Sequence, residues 1–394
     1  MLREANRSEK VMVAPERIAS LDRMRTFVTI SVLIHHSLLN YTWFGNGDRM
    51  RWLGFDLMVL LNDSYFMAFM FLISGLFVRD GLVRKGPAIY LRDRAWRLGA
   101  PYLLSVFVLM PIAYYPTFLR YHLPGTTDFS FLHFWWRTLT VGPWPSGPAW
   151  FLWVLLALDA VAACLWWVAP RLIEAFGRLI FAARDRPMLA FAFFVIVSVA
   201  AYVPMHLAFG DNSWLEFSRF PLPIQTSRIL LYALYFFVGV GVGVRLRAGL
   251  LVENGVLATR WRVWLAFSFA FYVAIAVLVY AHHNWVADFA SPPLLWRACH
   301  GLAFATFSAS MCFAVASIFL RFAKSGWRLL DALRPSAYGI YLVHYVFIIW
   351  LQFALYDSSL PAITKFAIVF SGTLLLSWAV VGLVRKIPLV ARMI

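Results

Sequence analysis

Apolar segments long enough to cross a lipid bilayer recur along almost the whole chain, and that recurrence narrows the possible folds more than any other feature. A span needs about 20 consecutive, mostly apolar residues. Ten such segments fall near 26–44, 57–78, 99–116, 149–169, 187–208, 228–246, 262–282, 298–320, 336–355 and 361–384. Inside hydrocarbon, backbone groups must pair within their own segment, so the expectation is an all-α, polytopic helix bundle of about ten transmembrane helices. Composition agrees: 62% of residues are hydrophobic and only 14% are charged. Prolines at Pro111, Pro116 and Pro204 mark the ends or kinks of spans.

Residues 1–20 are polar and mixed in charge, without the short apolar core of a cleavable leader. They are expected to precede a first span that is retained. No repeat or low-complexity stretch divides the chain, so 1–394 reads as a single domain, with no fused extracellular domain expected after Arg385. Cys164, Cys299 and Cys312 lie in or beside apolar segments without paired spacing, which suits packing and neither a disulfide framework nor a metal site.

A net charge of +16 would suggest a nucleic-acid partner in a soluble protein. In a membrane protein the placement of Lys and Arg matters more. With the N-terminus in the cytoplasm and ten spans, 27 of the 35 basic residues fall on the cytoplasmic side, and the bias holds at every loop. Both termini are therefore expected in the cytoplasm, and topology rather than nucleic acid accounts for the charge. The longest connection on the other side, about 117–148, carries Trp135, Trp136 and Trp144, with Trp150 where the next span starts. These aromatics read either as an interfacial belt or as a platform that stacks on sugar rings.

Ionisable side chains inside hydrocarbon are costly and need a reason to be there. His36 lies eleven positions after Arg25, and at about 100° per residue they share a helix face to within about 20°. His35 points about 80° away. Asp22, Thr29 and Asn40 complete a polar stripe, which places His36 roughly 16 Å from Arg25, near mid-bilayer. A neutral imidazole there suits a general base, or equally a histidine buried by hydrogen bonds to a neighbouring helix. His35 reads more simply as structural. Phe71-Leu72-Ile73-Ser74-Gly75 ends the second span, and Ser-Gly at a helix end allows close backbone approach. Arg92, Arg94 and Arg97 then cluster ahead of Pro101, partly as an orientation signal and partly as planar groups suited to a phosphorylated ligand. Asp159 and His344, each midway along a span, are either functional or halves of structural pairs.

The ordered set resembles the large type-three family of integral-membrane acyltransferases that modify cell-surface carbohydrates, and within it the glucan succinyltransferase branch. The motifs are Arg25 and His36 in the first helix, Ser74-Gly75, Arg94-x-x-Arg97 before Pro101, Trp150-Phe151-Leu152, and Tyr341-Leu342-Val343-His344. The likeness runs from about residue 18 to 385. It implies that His36 and Arg25, with the Arg94 and Arg97 pair, are needed to move an acyl group from cytoplasmic acyl-CoA to a hydroxyl of a cell-surface or periplasmic carbohydrate, at the inner membrane of a bacterium. Acetyl and succinyl both remain open as the acyl group. The doubled histidine departs from the pattern, since only His36 has the family spacing.

The expected mechanism makes His36 the general base and gives CoA to Arg92, Arg94 and Arg97, with the acyl-CoA a substrate and no cofactor permanently bound. The expected partners are acyl-CoA, a carbohydrate acceptor and the bilayer. The competing reading is a transporter of a small anion or lipid-linked sugar that uses the same stripe.

Overall fold

A computed structural model describes residues 18–45, 47–121, 128–141, 144–211, 213–217, 220–246, 248–285 and 292–393; most of the polar N-terminal segment lies outside these. The main helices are α1 (Ala19–Leu39), α2 (Leu53–Gly75), α3 (Val78–Tyr121), α4 (Phe131–Val141), α5 (Gly147–Val168) and α6 (Pro170–Ala182), followed by α7 (Pro187–Phe209). After an antiparallel hairpin of β1 (Trp214–Phe217) and β2 (Phe220–Gln225) come α8 (Thr226–Gly243), α9 (Trp261–Asn284), α10 (Leu294–Phe322), α11 (Arg328–Ala354) and α12 (Ala362–Val384).

The polytopic α-helical bundle expected from hydropathy is what the chain forms. Nine helices among the described residues are long and apolar enough to span a bilayer. α1 is the tenth by length, at 21 residues or about 31 Å; Asp22, Arg23 and Arg25 in its first two turns make it less apolar than the others. The hairpin was not expected from the sequence. It lies in the turn between α7 and α8, and the structure is otherwise helical.

Helix α10 is the centre of the bundle, with 83% of its most apolar window buried, against 17% for α9 and 22% for α7 and α12. Its buried face is built of small residues, among them Gly301, Ala305, Ser308, Ala309 and Ala314, which let neighbouring backbones approach. Close approach recurs where α2 crosses α8: a Cβ on Gly75 would collide with the Phe236 carbonyl, and one on Gly239 with the Leu72 carbonyl. The Ser74 hydroxyl donates to the Met70 carbonyl of its own helix, at 2.7 Å. Gly75 is thus accounted for by packing, and Ser74 stands half-buried beside that crossing.

α3 extends well beyond the 99–116 expected. It bends at Gly86-Pro87, where Gly86 takes φ 73°, and carries π turns at Ala95–Gly99 and Ser105–Leu109. Both turns lie just ahead of a proline. A proline cannot donate to the carbonyl four residues back, and in a bilayer that orphan must find another donor. Each does, from an aromatic side chain. The carbonyl of Arg97 (four before Pro101) accepts the Tyr338 hydroxyl at 2.5 Å. That of Phe107 (four before Pro111) accepts Trp135 Nε1 at 2.8 Å. That of Ile112 (four before Pro116) accepts Trp350 Nε1 at 3.0 Å. Trp135 is therefore occupied as a backbone cap, and Trp144 donates to the Leu139 carbonyl at 2.8 Å; Trp136 is exposed.

On the face where the basic residues gather, the Arg23 guanidinium makes a fork to Asp331 at 2.8 and 2.7 Å and donates to the Ala323 carbonyl at 2.7 Å. That ties α1 to α11 and to the end of α10. On the opposite face Lys365 is fully buried and bonds Asp48 at 2.9 and 3.1 Å.

Candidate active site

α1 carries His36 in its last turn, closer to the end of the helix than the mid-bilayer position expected from counting. The chain beyond stays inside the protein, with Tyr41 and Thr42 fully buried. His36 Nδ1 lies 3.0 Å from the Val32 carbonyl, and a carbonyl only accepts, so Nδ1 carries the hydrogen. By the same reasoning His344 Nδ1 donates to the Tyr341 carbonyl at 2.6 Å. His344 Nε2 is then an acceptor, 3.4 Å from His36 Nδ1. The network leaves His36 Nε2 with its lone pair free. The Gln352 amide fixes the helix end by donating to the His36 carbonyl at 3.3 Å.

His36, Tyr114, Tyr338 and Tyr345 are half-buried, and Arg25 is exposed. The Tyr345 ring lies 5.5 Å from the His36 imidazole, with the Tyr114 ring 5.8 Å beyond it. Arg25 and His36 share the face that the spacing required, but at 1.5 Å per residue they stand about 16 Å apart. Arg25 cannot touch a group reacting at His36. Its guanidinium lies 4.1 Å from the centre of the Phe77 ring, and Arg94 and Arg97 are near enough to feel its charge. Of the rest of the expected stripe, Asp22 faces Arg334 at 3.7 Å, Thr29 donates to the Arg25 carbonyl, and Asn40 caps the helix.

The arginine cluster divides. Arg92 and Arg97 line an open cleft of about 780 Å³ on the basic face, together with Trp96, Leu103 and Arg392. Arg94 turns inward. Its Nε sits 3.0 Å from the Tyr90 hydroxyl and 3.2 Å from Asp159, which is completely buried and accepts the Tyr90 hydroxyl at 2.5 Å. Asp159 is thus one half of a pair that holds Arg94, whereas His344 is brought directly to His36.

His35 lies on the neighbouring face, its ring edge-on to that of His36 at 5.3 Å and 5.1 Å from Phe66, with its Nδ1 buried without a hydrogen bond. It feels the charges of Asp63 and Arg228, two residues the sequence reading did not single out. α2 breaks at Ser64-Tyr65, and Arg228 closes the break by donating to the Asp63 carbonyl at 2.9 Å and to its carboxylate at 2.5 Å. The signal was present, since Asp63 is an acid within an apolar run. Trp150 is half-buried against Tyr232 and Phe71, 5.7 and 6.4 Å away by ring centres. Tyr341, next to the His344 turn, donates to the Pro148 carbonyl at 2.5 Å.

A comparison with protein families matches residues 18–382 to the model described as an acyltransferase domain, the acyltransferase-3 family. No curated protein and no solved structure matches the chain. A match over nearly the whole length, coming on a polytopic bundle that brings His344 to His36, makes the chain a member of the acyltransferase-3 family and an integral-membrane acyltransferase.

Proposed function

We propose that the protein moves an acetyl or succinyl group from cytoplasmic acyl-CoA to a hydroxyl of a periplasmic or cell-surface carbohydrate, with His36 as general base. The observation that carries this is the lone pair of His36 Nε2, left free because Nδ1 donates to the Val32 carbonyl, on a side chain that is only half-buried. The concentration of 27 of 35 basic residues on one face supports placing that face in the cytoplasm, and the protein in the inner membrane of a bacterium.

In this reading Arg92 and Arg97 hold the CoA phosphates at the cleft, where guanidinium groups offer forked hydrogen bonds. The pantetheine arm threads past Arg25, whose charge serves the donor rather than the reacting carbonyl. The acceptor oxygen attacks the thioester carbon as its proton passes to His36 Nε2. The C–S bond then breaks, and the CoA thiolate takes the proton from the imidazolium. A base so placed is typically worth about 10² to 10⁴ in rate. His344 holds the His36 ring, and Trp150 at the opposite face suits a sugar ring. A glucan succinyltransferase is the narrower form of this proposal, supported by the motif set alone.

Purified protein in proteoliposomes, given labelled acetyl-CoA or succinyl-CoA and a glucan oligosaccharide, tests it. Mass spectrometry of the acceptor is expected to show an ester with the wild type and none with His36→Ala. Near wild-type transfer by a folded His36→Ala protein would overturn the role of His36, and no ester from either donor would overturn the reaction.

A further inference from the structure

On the opposite face, far along the chain from the motifs above, three potential ligands meet. His206 stands near the end of α7, Asp211 just past it, and His300 in the second turn of α10. Gly210 at φ 72° ends α7 and turns the chain so that Asp211 comes back over the helix it has left. One ligand atom from each residue falls within 4.8 Å of the other two. His206 Nδ1 is 3.0 Å from Asp211 Oδ1, and His300 Nδ1 is 3.7 Å from Asp211 Oδ2.

We propose that His206, Asp211 and His300 bind a divalent transition-metal ion, Zn²⁺ being the best match to two imidazoles and a carboxylate. Tetrahedral zinc, with bonds near 2.0–2.1 Å, sets its ligand atoms roughly 3.4 Å apart, and the two short separations bracket that value. The ligand atoms, now within 4.8 Å of one another, have to close by up to about 1.4 Å on binding.

A second observation is independent of the clustering. His206 is 1% exposed, yet neither of its ring nitrogens makes a hydrogen bond, and His300 Nδ1, also buried, makes none. Leaving buried nitrogens unpaired is costly. His206 Nδ1 faces Asp211 Oδ1 as a close ion pair, while His206 Nε2 faces no partner at all. The surroundings hold the ligands in place: the His206 ring stacks on Tyr202, the His300 ring on Trp296, and the Tyr202 hydroxyl donates to Asp211 Oδ1 at 3.0 Å. Such outer contacts are typical of metal ligands. Gln225, at the end of β2, donates to the Asp211 backbone carbonyl at 2.5 Å. Two cations stand nearby and both are engaged: Arg228 is paired with Asp63, and Arg297 donates to the His206 and Leu207 carbonyls. An ion here would pin the hairpin end of α7 to the central helix α10 and leave a fourth position for water.

The test uses full-length protein in detergent. Elemental analysis after zinc loading and desalting, with affinity read against a chromophoric chelator, is expected to give one zinc per chain. His206→Gln and His300→Gln should weaken it at least tenfold, and His36→Gln should leave it unchanged. Cobalt-loaded wild type, which needs no variant to fold, should show the visible d–d bands of a four-coordinate site with nitrogen ligands. Zinc retention equal in wild type and in the His206→Gln/His300→Gln protein, the absence of cobalt bands, or loss of the metal in His36→Gln would each overturn the site.

Discussion

The His344 Nε2 lies 3.4 Å from the Nδ1 of His36, across 308 positions of sequence, and both Nδ1 atoms face backbone carbonyls. One imidazole thereby sets the orientation of the other. The expected effects differ in size: His36→Ala removes the base and should lower kcat by about 10² to 10⁴. His344→Ala leaves the base but frees its ring, and a loss of about tenfold is expected. Equal losses for the two variants in labelled acyl-transfer assays would contradict this division.

Arg94 and Arg97, three residues apart, should fail in different ways. Arg94→Ala strands the fully buried Asp159 with only the Tyr90 hydroxyl, and removing one partner of a buried pair typically costs on the order of 3–5 kcal/mol. Its melting temperature in detergent should fall clearly. Arg97→Ala, at the open cleft, should melt like the wild type and bind CoA at least tenfold more weakly by calorimetry.

The proline caps predict a coupling. Tyr338→Phe deprives the Arg97 carbonyl of its donor and should cost about 1 kcal/mol or somewhat more. In a Pro101→Ala background an N–H becomes available four residues on, so the same change should cost little. A double-mutant cycle in thermal unfolding measures this, and additive losses would show that the hydroxyl does not act through that carbonyl.

Lys365 and Asp48 form a pair with no side-chain exposure beyond about 1%. Lys365→Ala should destabilise by about 3–5 kcal/mol, because it leaves a buried carboxylate unmatched. Adding Asp48→Asn to Lys365→Ala should recover part of that loss, read as a rise in melting temperature over the single variant.

The sequence by itself determined that this chain is a membrane bundle, about where its spans fall apart from the long α3, which face carries the positive charge, and that Arg25 and His36 share a face while His35 does not. Those properties are local or additive: hydrocarbon forces each span to satisfy its own backbone, and an α-helix fixes the angle between residues eleven apart. Only the tertiary structure decided that His344 meets His36, that Asp159 holds Arg94 inward, away from Arg92 and Arg97, and that Arg228 mends the break at Asp63. Spacing along one helix shows a side chain's direction, never what stands opposite. The same limit hid the caps, since a proline announces an orphaned carbonyl but not which helix will bring the tyrosine or tryptophan to it. Small residues set how closely some helices approach, at Gly75 against α8 and along α10, and that packing too is a property of surfaces in contact.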